Sequence, residues 1–387
     1  MSRAGPASVA DIADGPGAWK VPPIIRRNPE IWVAIVLWLA SNVFVTGMAR
    51  FATWEGGTSY HSAVDLCHWD RGWYASVLEN GYDHAARSDG TANWPFHPGF
   101  PLTAYPFHSW LKLPLLTSMV YASKAALLFA IYGFILLVGQ PLDSTADHFR
   151  AGSLVAFNPY LIYAHAGYAE PLYFALAAFA FVLAGRRKWI ASGIAGALLS
   201  LTRVVGFLFA LSYAIMSLRE SGWRKYSLTK LIGLLLCPLG TALFMLYLHH
   251  HTGDALAQVH VHLAWVGTSL VNPLHALWTA LALHHWPRIW GAIALAGLAA
   301  SAWLFKLQKP ELGTYLALSI LVALSGGSPN GGLYGMARYV WWQPPFLYTI
   351  NYALKRYPAA WPIYTAFSSG MASFMIWEWF SGHNLVV

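Results

Sequence analysis

An aspartate among aromatic residues is the first feature of this sequence that could do chemistry. Asp70 lies in the run His-Trp-Asp-Arg-Gly-Trp-Tyr at residues 68–74, shortly after the first long apolar segment. A carboxylate at a bilayer boundary is costly, and aromatic side chains anchor at the level of the lipid headgroups. The run therefore predicts a carboxylate held at the water–lipid interface, where an enzyme that acts on a lipid headgroup would need its base.

The composition predicts that apolar helices position this carboxylate. Of the 387 residues, 57% are hydrophobic and 10% are charged, and the mean hydropathy is +0.45. Soluble domains carry about 25% charged residues, so most of this chain is expected to face lipid or other apolar helices. Tryptophan, tyrosine and phenylalanine, 20 of each, flank many of the apolar runs as an interfacial belt does. We therefore expect an all-α polytopic membrane protein.

The net charge and the cysteines argue against a nucleic-acid-binding protein and against a disulfide-stabilised or cysteine-ligated zinc protein. A net charge of +8 is compatible with a nucleic-acid partner, but the basic residues lie in short loops between apolar runs. Membrane topology explains that distribution better, so no nucleic-acid partner is expected. Cys67 lies beside the aspartate motif and Cys237 within an apolar segment. We therefore predict no structural disulfide and no zinc site built on cysteine.

The apolar segments divide the chain into membrane spans and two long outer loops. A helix needs about 20 apolar residues to cross the hydrocarbon core. Residues 1–30 are expected to be a cytoplasmic tail without a cleavable signal peptide, and residues 31–387 one membrane domain. The outer loops, about 50–116 and 249–288, should hold amphipathic helices near 66–82, 101–113 and 273–284. The eleven predicted spans are 31–49, 117–139, 151–166, 168–185, 190–202, 204–218, 230–248, 289–306, 311–325, 337–354 and 359–379.

The basic residues predict the orientation of these spans. Cytoplasmic loops carry an excess of lysine and arginine, and clusters of both alternate along the chain with isolated cations. This places the N-terminus inside and leaves the isolated cations outside. The short chain and the plain N-terminal segment favour a bacterial inner membrane. The predicted inside residues are Lys20, Arg26, Arg27, Arg150, Arg186, Arg187, Lys188, Arg219, Arg224, Lys225, Lys230, Lys306, Lys309, Lys355 and Arg356. The predicted outside residues are Arg50, Arg71, Arg87, Lys112, Arg288 and Arg338.

On this topology, the polar residues that interrupt the apolar pattern all fall at the outer ends of spans or in outer loops. Seven separate segments therefore point to one cavity at the outer leaflet, and that convergence is more informative than any single motif. The candidate residues are Trp69, Asp70, His97, Tyr168, Glu170, Arg203, Gln258, Trp265, Arg338 and Tyr339. Lys124, inside the second span, is a further candidate to face the cavity, although snorkelling to the interface explains it equally well.

The order of these motifs resembles a known family. Trp-Asp at 69–70 is followed by Phe-His-Pro-Gly-Phe-Pro-Leu at 96–102, Gly-Tyr-Ala-Glu at 167–170 and Thr-Arg at 202–203. Gly-Asp at 253–254 and Arg-Tyr at 338–339 complete it. The arrangement is similar to the PIG-V type of mannosyltransferase, the GPI mannosyltransferase 2 family, within the GT-C class. The resemblance extends from residue 31 to about residue 354, and His97 departs from it, because a second aromatic residue is expected there.

The resemblance implies a GT-C-like helical bundle that transfers mannose, with inversion, from a polyprenyl-phosphate-mannose donor at the outer face. The acceptor would be a glycan or a lipid-linked glycan. Such a displacement needs one base to deprotonate the acceptor hydroxyl, for which Asp70 is the candidate. The lipid phosphate leaves as a stable anion, so it needs positive charge rather than a proton donor. Arg203, Arg338 and Lys124 are the candidate phosphate ligands, because guanidinium groups in particular fork onto phosphate oxygens.

No cofactor or metal is expected. The chain has no Asp-x-Asp pair and no nucleotide-binding phosphate loop, so a nucleotide-sugar donor held through a metal is disfavoured. Neutral imidazole is a good metal ligand, and the predicted outer loop is rich in histidine. Solvated or lipid-facing histidines remain the favoured interpretation, since only Asp254 lies nearby as an acidic ligand. The histidines concerned are His249, His250, His251, His260, His262, His284 and His285.

Other interpretations stay open at this point. Asp70 could snorkel at a helix end, and Glu170 could cap a helix instead of binding sugar hydroxyls. A transporter or flippase of polyprenyl-linked sugars is the main alternative function. Transporters usually place their binding residues near the bilayer midplane between repeats, and this chain shows no repeat. A non-catalytic membrane scaffold is the second alternative, and it leaves the clustered acids and arginines without a purpose.

Overall fold

The computed structural model describes residues 28–68, 70–139, 144–222, 226–262, 264, 270–327, 332–333 and 335–381. Within these ranges the regular elements are all helices, and there is no strand. Two predicted site residues, Trp69 and Trp265, lie outside the described residues, as does nearly all of the predicted N-terminal tail.

Seventeen α-helices are described, together with short helical turns of other types. Tight 3₁₀ turns occupy Ala63–Leu66, Leu161–Ala164, Val204–Leu208 and Pro358–Ala360, and a π turn occupies Pro106–Trp110. The α-helices are α1 (Pro29–Glu55), α2 (Arg71–Asn80), α3 (Gly99–Tyr105), α4 (Leu115–Val138), α5 (Thr145–Ala156), α6 (Glu170–Gly185), α7 (Trp189–Thr202), α8 (Phe209–Ser221), α9 (Leu228–Leu236), α10 (Leu239–Thr252), α11 (Ala257–His260), α12 (Pro273–Ala282), α13 (Trp286–Lys306), α14 (Pro310–Ser325), α15 (Met336–Trp341), α16 (Pro344–Arg356) and α17 (Trp361–Ser381).

Several helices are long and apolar enough to cross a membrane. Four meet both criteria, namely Pro29–Glu55, Leu115–Val138, Val204–Ser221 and Trp286–Lys306. A fifth span results if α9 and α10, which bend by 44° at their junction, are counted as one. Side chains on the outside of α1 agree with a lipid-facing surface, since Val43 is 74% exposed. The prediction of an all-helical protein is confirmed for the described residues, and four or five of its helices could span a membrane.

Three predicted spans are not continuous helices, and each break lies at a proline. The segment 230–248 is divided into α9, which ends at Leu236, and α10, which begins at Leu239, with Pro238 between them. The segment 151–166 is helical only to Ala156, because Pro159 cannot continue the hydrogen-bond ladder and disfavours a helical conformation at Asn158. Its remainder is a buried stretch that contains the Leu161–Ala164 turn. The segment 337–354 likewise breaks before Pro344, so that α15 ends at Trp341 and α16 starts anew.

The loop helices also differ in length from the prediction. The helix expected over 66–82 begins only at Arg71, where α2 starts, and the Ala63–Leu66 turn precedes it. The segment near 101–113 consists of α3 followed directly by the π turn. The third predicted loop helix, near 273–284, corresponds to α12. These short elements pack on the longer helices, and α2 and α3 flank segments that carry residues of the candidate site.

The centre of the bundle is formed by α4, α6 and α7, which pack on one another in sequence. Because α6 and α7 are antiparallel and joined by residues 186–188, Glu170 at the start of α6 lies at the same end as Arg203 after α7. We call this the Asp70 end, and the opposite end of the α6–α7 hairpin the Arg186 end. With 16 residues at about 1.5 Å each, α6 separates the two ends by about 24 Å.

Candidate functional site

Four charged side chains from four distant segments meet at the Asp70 end. The Arg338 guanidinium lies 2.6 Å from Asp70 Oδ2 and 3.6 Å from Glu170 Oε1. Arg203 Nη1 donates to the same Glu170 oxygen at 3.1 Å. The sequence-predicted base, the predicted sugar ligand and two of the three predicted phosphate ligands are therefore neighbours. We call these four residues the charged cluster, and their two guanidinium and two carboxylate charges cancel.

Asp70 is positioned by a buried tyrosine. The Tyr168 hydroxyl accepts a hydrogen bond from the Asp70 backbone N–H at 3.2 Å and donates one to the His68 carbonyl at 2.8 Å. Tyr168 can reach this loop because Gly167 adopts φ +78°, a conformation that side chains rarely allow. Tyr168 was predicted to bind substrate, but its ring is buried and its hydroxyl is used by the backbone. In the structure, these two hydrogen bonds tie Tyr168 to the segment that carries Asp70.

Glu170 is the most deeply buried member of the charged cluster. Its side chain is 3% exposed, whereas that of Asp70 is 23% exposed. It is the first residue of α6, followed by Pro171, and a carboxylate is favourable at a helix N-terminus. The second carboxylate oxygen, Oε2, is buried and forms no hydrogen bond with the described residues. Asp70 is therefore the acid that a substrate can reach, and Glu170 is placed to orient the arginines.

Tyrosine rings surround the two arginines. The Arg203 guanidinium lies 4.6 Å from the ring centre of Tyr339 and 5.6 Å from that of Tyr173. The Arg338 guanidinium lies 5.2 Å from the ring centre of Tyr163. Such cation–π contacts favour a cation in a partly desolvated site. Tyr339, which was predicted to bind substrate, thus contacts Arg203 directly.

Two further polar atoms in this site have no hydrogen-bond partner among the described residues. They are Arg338 Nε and the Tyr163 hydroxyl, and both are buried. Buried polar groups are normally paired, and unpaired ones mark strain, function or a bound molecule. Together with Glu170 Oε2, they give the charged cluster spare hydrogen-bonding capacity for a polar ligand.

His97 and Gln258, both predicted to bind substrate, form a hydrogen bond with each other. His97 Nε2 and Gln258 Oε1 form a 2.7 Å hydrogen bond that joins the loop before α3 to α11. Both side chains are buried, and burial lowers the pKa of His97 to about 4. His97 is therefore neutral near pH 7, and its Nε2–H donates to the amide oxygen. This pair connects the two loop regions that flank the site.

A close backbone approach explains the Pro-Gly-Phe-Pro-Leu run. A Cβ atom at Gly99 would lie 2.6 Å from Thr202 Oγ1 and 2.9 Å from the Leu201 carbonyl oxygen, so only glycine fits there. This contact seats the start of α3 against the end of α7, immediately before Arg203. The glycine therefore helps to fix the position of an arginine in the charged cluster.

Lys124 is the predicted phosphate ligand that the structure does not place in the charged cluster. It forms no ion pair with the four charged residues, and its backbone carbonyl accepts a hydrogen bond from the Trp38 indole at 2.7 Å. Lys124 lies nine residues into α4, which is about 14 Å from the start of that helix at its usual rise.

Sequence reasoning missed the tyrosines and a glycine that shape the arginine sites. Tyr163 and Tyr173 contact the arginines but were read as parts of apolar spans. Gly335, at φ +73°, lies directly against Arg338, because a Cβ atom there would be 3.0 Å from the nearest guanidinium nitrogen. The sequence does contain a sign of a close backbone approach near Arg338, since residues 326–335 include five glycines.

The predicted outer histidines are distributed over several partners. His260 Nδ1 lies 2.6 Å from Asp254 Oδ2, while His251 stacks on His84 with ring centres 3.9 Å apart. Throughout the described part of the chain, no group of three or more histidine, cysteine, aspartate or glutamate side chains is arranged to hold a metal ion.

Comparison with known proteins adds no assignment to this geometry. No protein-family model matches the chain, and no curated protein matches it.

Proposed function

We propose that this protein is an inverting glycosyltransferase that transfers mannose from a polyprenyl-phosphate-mannose donor to a glycan or glycolipid acceptor. The observation that carries the proposal is the convergence of Asp70, Glu170, Arg203 and Arg338 at one end of an apolar helical bundle. A general base beside two guanidinium groups suits an alcohol that attacks a sugar whose leaving group is a phosphate.

The proposed reaction is a single displacement. The acceptor oxygen bonds to C1 of mannose while its proton passes to Asp70, and the bond from C1 to the phosphate oxygen breaks with its electron pair on the phosphate. The phosphate changes from a singly charged diester to a monoester with an additional negative charge. Positive groups that are already in place stabilise such a developing charge, because they need not reorganise during the reaction. Arg203 and Arg338 have this role in the proposal.

The ion pair between Asp70 and Arg338 suggests how the donor would activate the base. In the structure, Asp70 Oδ2 lies 2.6 Å from the Arg338 guanidinium, so this oxygen is occupied by the ion pair. A donor phosphate that forks onto Arg338 competes with Asp70 for the same N–H groups. Donor binding would then release Asp70 for the acceptor hydroxyl, with Glu170 still holding Arg203. This predicts that the donor binds before the acceptor.

The membrane topology belongs to the same proposal. We propose a GT-C-like bundle of about eleven transmembrane helices, in which the shorter apolar helices α6, α7 and α14 add to the long spans. The Asp70 end would face the outer side of a bacterial inner membrane, with the N-terminus in the cytoplasm. The clusters of basic residues near Arg186, Arg219 and Lys309, all at the other end, support this orientation.

The experiment uses purified full-length protein with synthetic polyprenyl-phosphate-mannose that carries radiolabelled mannose. The acceptor source is a glycolipid and glycan extract of membranes that lack the endogenous protein. Transfer of label into this fraction is expected, and Asp70→Asn should reduce the rate by at least about 100-fold because an amide is not a base. The matched control is Glu79→Gln, which removes an exposed carboxylate from α2, the helix that follows Asp70.

The same preparation distinguishes the competing functions. Near-normal transfer by the Asp70→Asn protein would exclude Asp70 as the base. Proteoliposomes that move labelled donor between leaflets without forming a new glycosidic bond would identify a flippase and overturn the proposed transferase. Absence of both transfer and transport would favour a scaffold.

A further inference from the structure

Two adjoining cavities open at the Arg186 end, about 24 Å along α6 from the charged cluster. The larger has a volume of about 460 Å³, and its neighbour has a volume of about 390 Å³. They share Gly185, Met216, Lys309 and Glu311, so we treat them as one groove, the Arg186 groove. It lies where α4 and α8 end, and both belong to segments long enough to cross a membrane. On the proposed membrane topology, the groove would lie at the depth of lipid headgroups.

The wall of the groove is apolar where it faces the bundle. Leu136 and Val138 from the end of α4, Phe181 from α6 and Leu312 from α14 form much of this wall. Met216 of α8 lies between the two cavities and contributes a flexible apolar side chain to both. These side chains form an apolar strip within a groove that is otherwise polar, and the first part of a hydrocarbon chain fits against that strip.

The rim of the groove carries an excess of positive charge. Four cations line it, namely Arg186, Arg187, Arg219 and Lys309, against the two carboxylates of Glu220 and Glu311.

Both rim carboxylates are already paired. Arg219 lies 2.9 Å from Glu311, and Glu220 pairs with Lys230 and, at 3.4 Å, with Arg187. Arg186 and Lys309 form no ion pair with any carboxylate of the described residues. Two cations at the mouth thus lack an anionic partner, while the acids beside them are neutralised.

We propose that the Arg186 groove is a binding site for an anionic phospholipid. The phosphate would be held by Arg186 and Lys309, and the first part of an acyl chain would lie against the apolar wall. Charge complementarity favours an anionic lipid over a zwitterionic one, because Arg186 and Lys309 have no acidic partner among the described residues. An attraction of this kind adds to the hydrophobic contact instead of replacing it. The proposal does not depend on the transferase function, because the groove and the charged cluster are at opposite ends.

The test compares lipid retention by full-length protein variants in native mass spectrometry. The probes are phosphatidylglycerol and phosphatidylcholine with identical acyl chains. The double variant Arg186→Gln/Lys309→Gln should bind phosphatidylglycerol about 10-fold more weakly. The matched control is Lys188→Gln/Lys306→Gln, which removes one cation from the α6–α7 connection and one from the end of α13, both at positions outside the groove. The control should retain phosphatidylglycerol like the unaltered protein.

Met216→Trp, which fills the groove without changing charge, should also lose the bound lipid.

Three results would overturn the proposal. Equal retention of both lipids by the unaltered protein would show that the rim does not select an anion. Equal losses in the double variant and its control would assign the effect to the general field of the basic loops. Displacement of phosphatidylglycerol by glycerol 3-phosphate, which has no acyl chain, would show that the groove binds a soluble phosphate and not a lipid.

Discussion

The two ends of the α6–α7 hairpin use charge in opposite ways. At the Asp70 end, Glu170 is buried, the two arginines are largely buried and Asp70 is partly exposed. All four side chains form ion pairs, and tyrosine rings surround the arginines. At the Arg186 end, most cations are exposed, and two of them have no acidic partner among the described residues. Buried pairs depend on each partner being present, whereas exposed charges act mainly through their summed field. The first arrangement suits chemistry at a defined position, and the second suits orientation and attraction to a membrane surface.

The largest contrast is expected when one carboxylate is neutralised at each end. Glu170→Gln leaves two buried guanidinium groups with one remaining acid, which should cost about 3–5 kcal/mol of stability. Glu311→Gln is the matched change at the Arg186 end. Its partner Arg219 is half exposed, so a cost of at most about 1 kcal/mol is expected. Thermal unfolding of both variants in one detergent measures the difference. Equal shifts in unfolding temperature would mean that burial does not distinguish the two pairs.

Sequence reasoning found the members of the charged cluster, but it could not find their pairing. The alternation of apolar segments and basic clusters assigns Asp70, Glu170, Arg203 and Arg338 to the same end of the bundle, which restricts them to one layer. Neighbours within that layer depend on how helices pack. The pair between Asp70 and Arg338, separated by 268 positions in the chain, cannot be read from local periodicity.

The continuity of the spans was the other weak point of the sequence analysis. Hydropathy averages over a window and passes across a proline, whereas the helix at Ala156 ends because Pro159 follows closely. The same averaging concealed Tyr163 and Tyr173 as ordinary apolar residues. Tyr163 contacts Arg338 from the turn that follows the break at Pro159, and Tyr173 contacts Arg203 from the buried helix α6. Both contacts depend on how the bundle folds.

The second prediction concerns pH and the buried His97 beside the charged cluster. Because burial lowers its folded-state pKa to about 4, the folded protein resists protonation that the unfolded chain accepts near pH 6.5. Stability should therefore be full above pH 6.5 and should fall by about 3 kcal/mol as the pH drops toward 4.

The measurement for His97 is the unfolding temperature across that pH range, compared with His97→Gln. Glutamine can still donate to the Gln258 oxygen but does not titrate. The variant should lose the part of the pH dependence that belongs to His97. An identical pH profile for both proteins would show that His97 is not the titrating group.

A smaller effect is expected when arginine is exchanged for lysine at each end. At the Asp70 end, Arg203→Lys and Arg338→Lys should weaken donor binding by about 10-fold, because lysine keeps the charge but lacks the bidentate fork. Replacement by alanine should weaken it further. Arg186→Lys, at the other end, should leave donor affinity unchanged. The measurement is equilibrium binding of polyprenyl-phosphate-mannose without acceptor. If both alanine variants bind donor normally, the phosphate site lies elsewhere, and Lys124 or Arg71 becomes the next candidate.

The smallest effect on transfer activity is expected from chelation of divalent metal ions. This test asks whether arginines or a metal ion neutralise the phosphate charge at the Asp70 end. In the proposed reaction, two guanidinium groups meet the phosphate charge, so a divalent cation has no remaining task. The chain also lacks an Asp-x-Asp pair, and Mg²⁺ and Mn²⁺ prefer oxygen ligands. Transfer by purified protein should therefore continue unchanged in excess EDTA. Activity that is lost to EDTA and restored by Mg²⁺ or Mn²⁺ would refute the two-arginine arrangement. Restoration by Zn²⁺ alone would instead direct mutagenesis to His249, His251, His260 and His262.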